Sequence, residues 1–165
     1  MLWRDALIIY DRATDSLWSQ VNGTAVAGAE RGKRLQELPS ELTTWGEWKH
    51  RHPDTLVLVK PALAGSVYDD YFADPGRIGV RGSTNPDPRL PGKELVIGIE
   101  HNGRFAAVPL SLVEARKRME VQAIGIPIVI TPSGAYERMS NAPVSSKIIY
   151  WAIWAKFHPK SEIIR

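Results

Sequence analysis

Cysteine is absent from this chain of 165 residues, which removes disulfides, thiolate zinc sites and thiol nucleophiles together. The absence assigns no compartment, since exported proteins can also lack cysteine. No apolar stretch approaches the length of a membrane span. The N-terminal Met1-Leu-Trp-Arg-Asp-Ala-Leu-Ile-Ile-Tyr10 mixes acids and bases. It has neither the unbroken apolar run nor the small-residue cleavage site of a signal peptide. No Gly-x-Ser-x-Gly elbow, phosphate loop, dinucleotide-binding fingerprint or His-Glu-x-x-His occurs, and each absence excludes a well-defined enzyme class. Zinc-finger spacing, aromatic RNA-stacking motifs and a basic helix with a dimerising heptad are missing too, so no nucleic-acid partner is expected.

What is present can build a sizeable core, with 44% hydrophobic residues in one domain or in two small halves sharing an interface. The formal charge is +3, and residues 1 to 60 carry as many acidic as basic side chains. The excess therefore lies later, at Arg116-Lys117-Arg118 and at Lys147, Lys156, Lys160 and Arg165. The triplet reads as a solvated helix face or as a footprint for nucleic acid or anionic lipid, and no motif supports the second.

One phrase occurs twice. Trp45-Gly-Glu-Trp48-Lys-His-Arg-His52-Pro53 returns as Trp151-Ala-Ile-Trp154-Ala-Lys-Phe-His158-Pro159, and these copies hold four of the six tryptophans. In the first copy Thr44 and Glu47 form a capping box, so a helix starts near Trp45. Trp45, Trp48 and His52 then share one face, and Pro53 ends the helix. Thr55-Leu-Val-Leu-Val59 reads as a buried strand. In the second copy Ser145 or Ser146 can cap a helix carrying Ile149, Trp151, Trp154 and Phe157, with Glu162-Ile-Ile164 as a short final strand. Two readings of the shared face stand: inward packing with His near a helix C-terminus, or functional histidines acting as bases or ligands.

Elsewhere, Ala6–Tyr10 and Leu17–Gln20 flank turn formers and predict a hairpin, followed by a short close-packed strand over Thr24–Gly28. Glu94–His101 and Arg104–Val108 flank Asn102-Gly103, which selects a type I′ hairpin. Ser111–Met119 reads as a helix and Gly125–Ile130 as a strand. The pattern predicts an α+β fold, a mostly antiparallel sheet with β-hairpins and two repeat helices. The chain is expected as one domain of two unequal, pseudo-duplicated halves: a first repeat over 1–59, a long loop over 60–93 and a contracted second repeat over 94–165.

That loop is rich in Gly, Pro and Asp and carries Val67-Tyr-Asp-Asp-Tyr-Phe72 and Pro86-Asp-Pro-Arg-Leu-Pro91. Long loops on a rigid scaffold are where sites sit. Tyr68, Tyr71, Arg89 and Lys93 are the candidate ligand-binding residues, and His52, His158, Asp87 and Arg89 the catalytic candidates. Arg89 could clamp a carboxylate or phosphate with Asp87 orienting it, or the two could form a structural clip between prolines. His50 and His52 point about 200° apart on a helix and cannot share a metal. Asp69, Asp70 and Asp74 lack the oxygen-ligand spacing of a calcium loop. No metal is expected, and no cofactor can be named.

The residues also carry a family likeness. Leu17-Trp18-Ser19-Gln20, Leu38-Pro39-Ser40, Thr43-Thr44-Trp45, Trp48, His52-Pro53-Asp54-Thr55 and Val57-Leu58 belong to it. So do Asp87, Arg89-Leu90-Pro91, Lys93-Glu94, Val96, Gly98 and the terminal Trp151, Trp154 and Phe157-His158-Pro159. Together they resemble the prokaryotic family known as domain of unknown function 3179. The resemblance implies no activity and tilts localisation towards an extracytoplasmic setting. Longer members resembling this chain begin with a strand-rich segment carrying Cys-Pro-Leu-Cys. On this likeness the chain is a shortened member or a fragment lacking that segment. The second copy is contracted, with no counterpart of Leu17-Trp-Ser-Gln20 before Trp151. The leading expectation is a non-catalytic binding or interaction domain. Two others stand beside it: an enzyme of unassigned chemistry with a site at residues 68–93, and a structural subunit that completes its sheet with a protein partner or a second copy.

Overall fold

The computed structural model describes residues 1–38, 40, 42–59, 68–79 and 82–165. Pro39 and residues 60–67, which open the expected loop, lie outside the described residues. In chain order the elements begin with strands β1 (Leu2–Trp3), β2 (Ala6–Asp11), β3 (Ser16–Ser19) and β4 (Ala25–Ala27). Helices α1 (Trp45–Arg51) and α2 (Asp69–Ala73) follow, then β5 (Leu95–His101), β6 (Arg104–Pro109) and α3 (Leu110–Arg116). The chain continues through β7 (Met119–Ala123), β8 (Ile126–Thr131), β9 (Gly134–Glu137), β10 (Pro143–Val144) and β11 (Ser146–Tyr150). It ends with α4 (Trp151–Phe157) and β12 (Glu162–Ile163). The fold is α+β and mostly strand, in three four-stranded sheets ordered β1-β2-β3-β4, β10-β9-β8-β7 and β11-β5-β6-β12. Among the described residues every strand pairing is antiparallel except β12 on β6.

The β5–β6 hairpin is the centre of the molecule. Asn102 and Gly103 both take positive φ, 48° and 73°, as a type I′ turn demands, which fixes the register Glu100↔Phe105 and His101↔Arg104. β5 is buried on both faces, which is why it reads as an unbroken apolar run. Ile97 and Ile99 join Val108, Val113, Ile128 and Ile130 in the main core, while Val96 packs with Ala107, Trp151 and Trp154 on the other side. Gly98 lies directly under the Trp154 indole, where an added Cβ would come within 2.4 Å of the ring.

Four expectations are corrected. Residues 146–150 form strand β11 rather than a helix start, because Ile148 and Ile149 pair with Ile97 and Val96 of β5. The helix begins at Trp151 with no side-chain cap. Its first N–H groups donate instead to Glu94 O at 2.8 Å and Gly92 O at 3.0 Å, carbonyls brought in by the tertiary fold. α1 has the expected capping box, yet none of its residues is buried, and Trp45 is 51% exposed. Thr55–Val59 pairs with no strand among the described residues, and Leu56 is 96% exposed. The helix expected over 111–119 stops at Arg116, where Lys117 turns to φ 62°, and β7 begins at Met119. The turn after β7 uses Ile124 at φ 50° before Gly125 at φ 88°. A β-branched residue is disfavoured there, and burial of Ile124 to 4% exposure offsets the strain.

The two copies of the repeated phrase share local geometry at their helix ends, with His52 and His158 as C-caps of nearly equal dihedral angles. The division of the chain into two related halves rests on the sequence.

Gly98 generates a direct prediction. Gly98→Ala forces the indole off β5 and is expected to cost about 2 kcal/mol, as overpacking does. Urea unfolding followed by tryptophan fluorescence measures it.

Candidate functional site

Three of the four residues chosen as ligand-binding candidates meet in one recess. Tyr68 and Tyr71 come from the start of α2 and Lys93 from the end of the loop. Leu2 of β1, Tyr150 of β11 and Ile153 of α4 complete a cleft of about 360 Å³ together with Phe72, Ile78, Gly79, Gly92 and Asp5. Its walls are mainly aromatic and aliphatic. Tyr71 and Phe72 contact edge to face at 5.5 Å, and burial raises the Tyr150 hydroxyl pKa, with Tyr71 adding to it.

The charges at the rim are already engaged. Lys93 Nζ donates to Tyr71 O and, at 2.6 Å, to Asp74 O, and lies 3.7 Å from the Tyr71 ring centroid. The ammonium thereby satisfies carbonyls at the end of α2 and pins that short helix to the body. Asp5 accepts from Lys156, which holds its carboxyl below the ordinary value, with Ser83 contributing.

Arg89 is turned elsewhere. Its Nε and Nη2 grip Asp87 at 2.6 to 3.0 Å, its Nη1 donates to Ser161 O at 3.0 Å, and the guanidinium lies 5.4 Å from the Trp151 ring. Trp151 Nε1 in turn donates to Asp87 O at 2.8 Å. The Arg89 hydrogen bond depresses the Asp87 carboxyl pKa. This group fastens the loop to α4, and neither Asp87 nor Arg89 lines the cleft.

The histidines lie apart from it as well. His158 is 8% exposed, stacked on Phe105 at 4.0 Å and 4.2 Å from Trp154. Desolvation lowers its imidazole pKa to about 4, with Lys147 and Arg34 assisting and Glu100 opposing. His52 sits exposed at the end of α1, its ring 4.1 Å from Trp48. The catalytic candidates are thus distributed over three places. Among the described residues no group of three or more His, Asp or Glu is placed to hold a metal ion, and no helix is long and apolar enough to cross a membrane.

Sequence reasoning missed Leu2, Asp5, Ile78, Tyr150 and Ile153 as cleft residues. Leu2 and Ile153 stand at opposite ends of the chain, so no local pattern joins them.

A family model described as protein of unknown function (DUF3179) matches residues 1–149. No curated protein and no solved structure matches the chain.

Burial of His158 makes stability depend on pH. Between the unfolded value near 6.5 and about 4, the unfolded chain binds a proton that the folded chain refuses, so stability is full above that window and falls as pH drops through it. The expected loss is about 2 kcal/mol between about pH 7 and pH 5. Urea unfolding across that range checks it, and His158→Gln should flatten the slope whatever its absolute stability.

Proposed function

The chain belongs to the DUF3179 family, and on that premise we propose that it is a non-catalytic binding domain whose ligand site is the cleft between α2 and α4. The convergence of Tyr68, Tyr71 and Lys93 carries this reading. The loop that looked functional in sequence contributes side chains to an apolar recess, and the recess has the size of a small-molecule site. Its two charged neighbours suggest the ligand. Lys93 is held by backbone carbonyls and Asp5 by Lys156, so among the described residues both charged lining groups already have partners, while an uncharged, largely apolar ligand gains the aromatic walls. Separation of His52, His158 and the Asp87–Arg89 pair supports binding over catalysis by those residues.

The test is fluorescence titration with N-phenyl-1-naphthylamine, a neutral apolar probe. Saturable binding is expected, weakened about tenfold by Tyr71→Ala, the loss of one aromatic wall, and unchanged by Arg116→Ala, at an exposed position of α3 that does not line the cleft. The reading fails if Arg116→Ala weakens binding as much as Tyr71→Ala, if nothing saturates, or if an anionic naphthalene sulfonate binds more tightly than the neutral probe.

A further inference from the structure

The apolar cleft between α2 and α4 has two phenols among its walls that come from distant parts of the chain, Tyr71 of α2 and Tyr150 of β11. Both are held from behind. Tyr150 is the last residue of β11, paired with Leu95 of β5, and it is also the N-cap of α4. The Tyr71 carbonyl accepts from Lys93, and the Tyr71 ring meets Phe72 edge to face at 5.5 Å. Burial raises the Tyr150 hydroxyl pKa and Tyr71 raises it further, so the two groups lie within electrostatic range of each other.

Each phenol carries one O–H donor. Two features favour donation by this pair. The raised pKa keeps the proton on Tyr150, and the Lys93 ammonium lies 3.7 Å from the Tyr71 ring centroid, where it draws on the electrons of the ring. Among the described residues neither hydroxyl has a hydrogen-bond partner. An apolar ligand that fills the cleft takes water away from both, and each donor must then be matched or stay buried and unsatisfied. A carbonyl oxygen matches the two at once, because it has two lone pairs and no hydrogen of its own. An alcohol brings a further donor that needs its own acceptor. A carboxylate brings charge among apolar walls where Lys93 already has partners.

We infer that the cleft takes a neutral acyl compound, a ketone, ester or tertiary amide on an apolar body, whose carbonyl oxygen accepts from the Tyr71 and Tyr150 hydroxyls together. The inference rests on the reading of this cleft as an apolar binding site, and it adds the polar group that sets orientation and specificity there. The aromatic walls supply affinity and the phenol pair supplies selection. Removing a hydroxyl therefore costs discrimination between ligands and leaves the affinity for a purely apolar body in place.

The probes are Prodan, a neutral naphthalene ketone, and its deoxy analogue, in which a methylene replaces the carbonyl. Fluorescence titration of the full chain is expected to show the ketone binding about tenfold more tightly than the deoxy compound. Tyr71→Phe and Tyr150→Phe should each weaken ketone binding about threefold, leave the deoxy affinity unchanged or raise it, and leave the urea midpoint where it was. The double variant should bind the two probes equally. The inference is overturned if the unaltered chain binds the ketone no more tightly than the deoxy compound, or if the Phe variants weaken both probes alike or neither. Either result leaves the binding site itself standing. If the deoxy compound and N-phenyl-1-naphthylamine both fail to saturate, the site falls and this inference with it. Should a Phe variant fail to fold, the ketone-to-deoxy ratio on the unaltered chain decides.

Discussion

The structure depends on a tryptophan laid flat on a glycine. Trp154 can approach β5 because Gly98 has no Cβ, and its indole N–H is satisfied by Ser161 Oγ at 2.8 Å in a fully buried setting. With Trp154 in place, Trp151 is buried beside it and donates to Asp87 O, which locates the loop before β5. Gly92 and Glu94 supply the carbonyls that start α4, and Lys93 between them reaches out to hold α2. The cleft is thus built outward from one close contact. Each later piece is held by a hydrogen bond to a backbone carbonyl.

The first sheet joins this body differently. Arg34 grips Glu100 through two hydrogen bonds of 2.8 and 2.7 Å, Lys147 pairs with Glu37 at 3.0 Å and donates to Val21 O at 2.7 Å, and Lys156 meets Asp5. Partly exposed pairs of this kind each contribute little. Trp3 against Phe157 at 5.3 Å, with Arg4 over both rings, adds the apolar share. Leu2 and Asp5 form one wall of the cleft and Tyr150 and Ile153 another. The cleft therefore opens at a junction held mainly by charge, where a small change in width costs less than it would within the core.

Local chemistry was legible where it was self-contained. The Thr44–Glu47 capping box, the Asn102-Gly103 turn and the β2–β3 hairpin each close within a few residues, so their outcome does not depend on distant neighbours. Reading failed where a partner comes from afar. β11 looked like a helix approach because the apolar residues of 146–150 fit either state, and its pairing with β5 decided the matter. The start of β7 was lost to the preceding helix because the turn that ends α3, with Lys117 at positive φ, carries no sequence signal. Of the candidate site, Tyr68, Tyr71 and Lys93 were found because they lie on one loop. Tyr150, Ile153 and Leu2 were not, since only the docking of α4 and the first sheet brings them near.

The repeated Trp-x-x-Trp-x-x-x-His-Pro phrase divides the two contributions cleanly. The amino-acid sequence by itself determined the unit: helix, His cap, turn and indole hydrogen bond recur in both copies because every interaction in it spans a few residues. Whether the unit is core or surface was decided by tertiary structure alone. Burial requires an opposing surface, and the β5–β6 hairpin supplies one to Trp154 while the described residues supply none to Trp45.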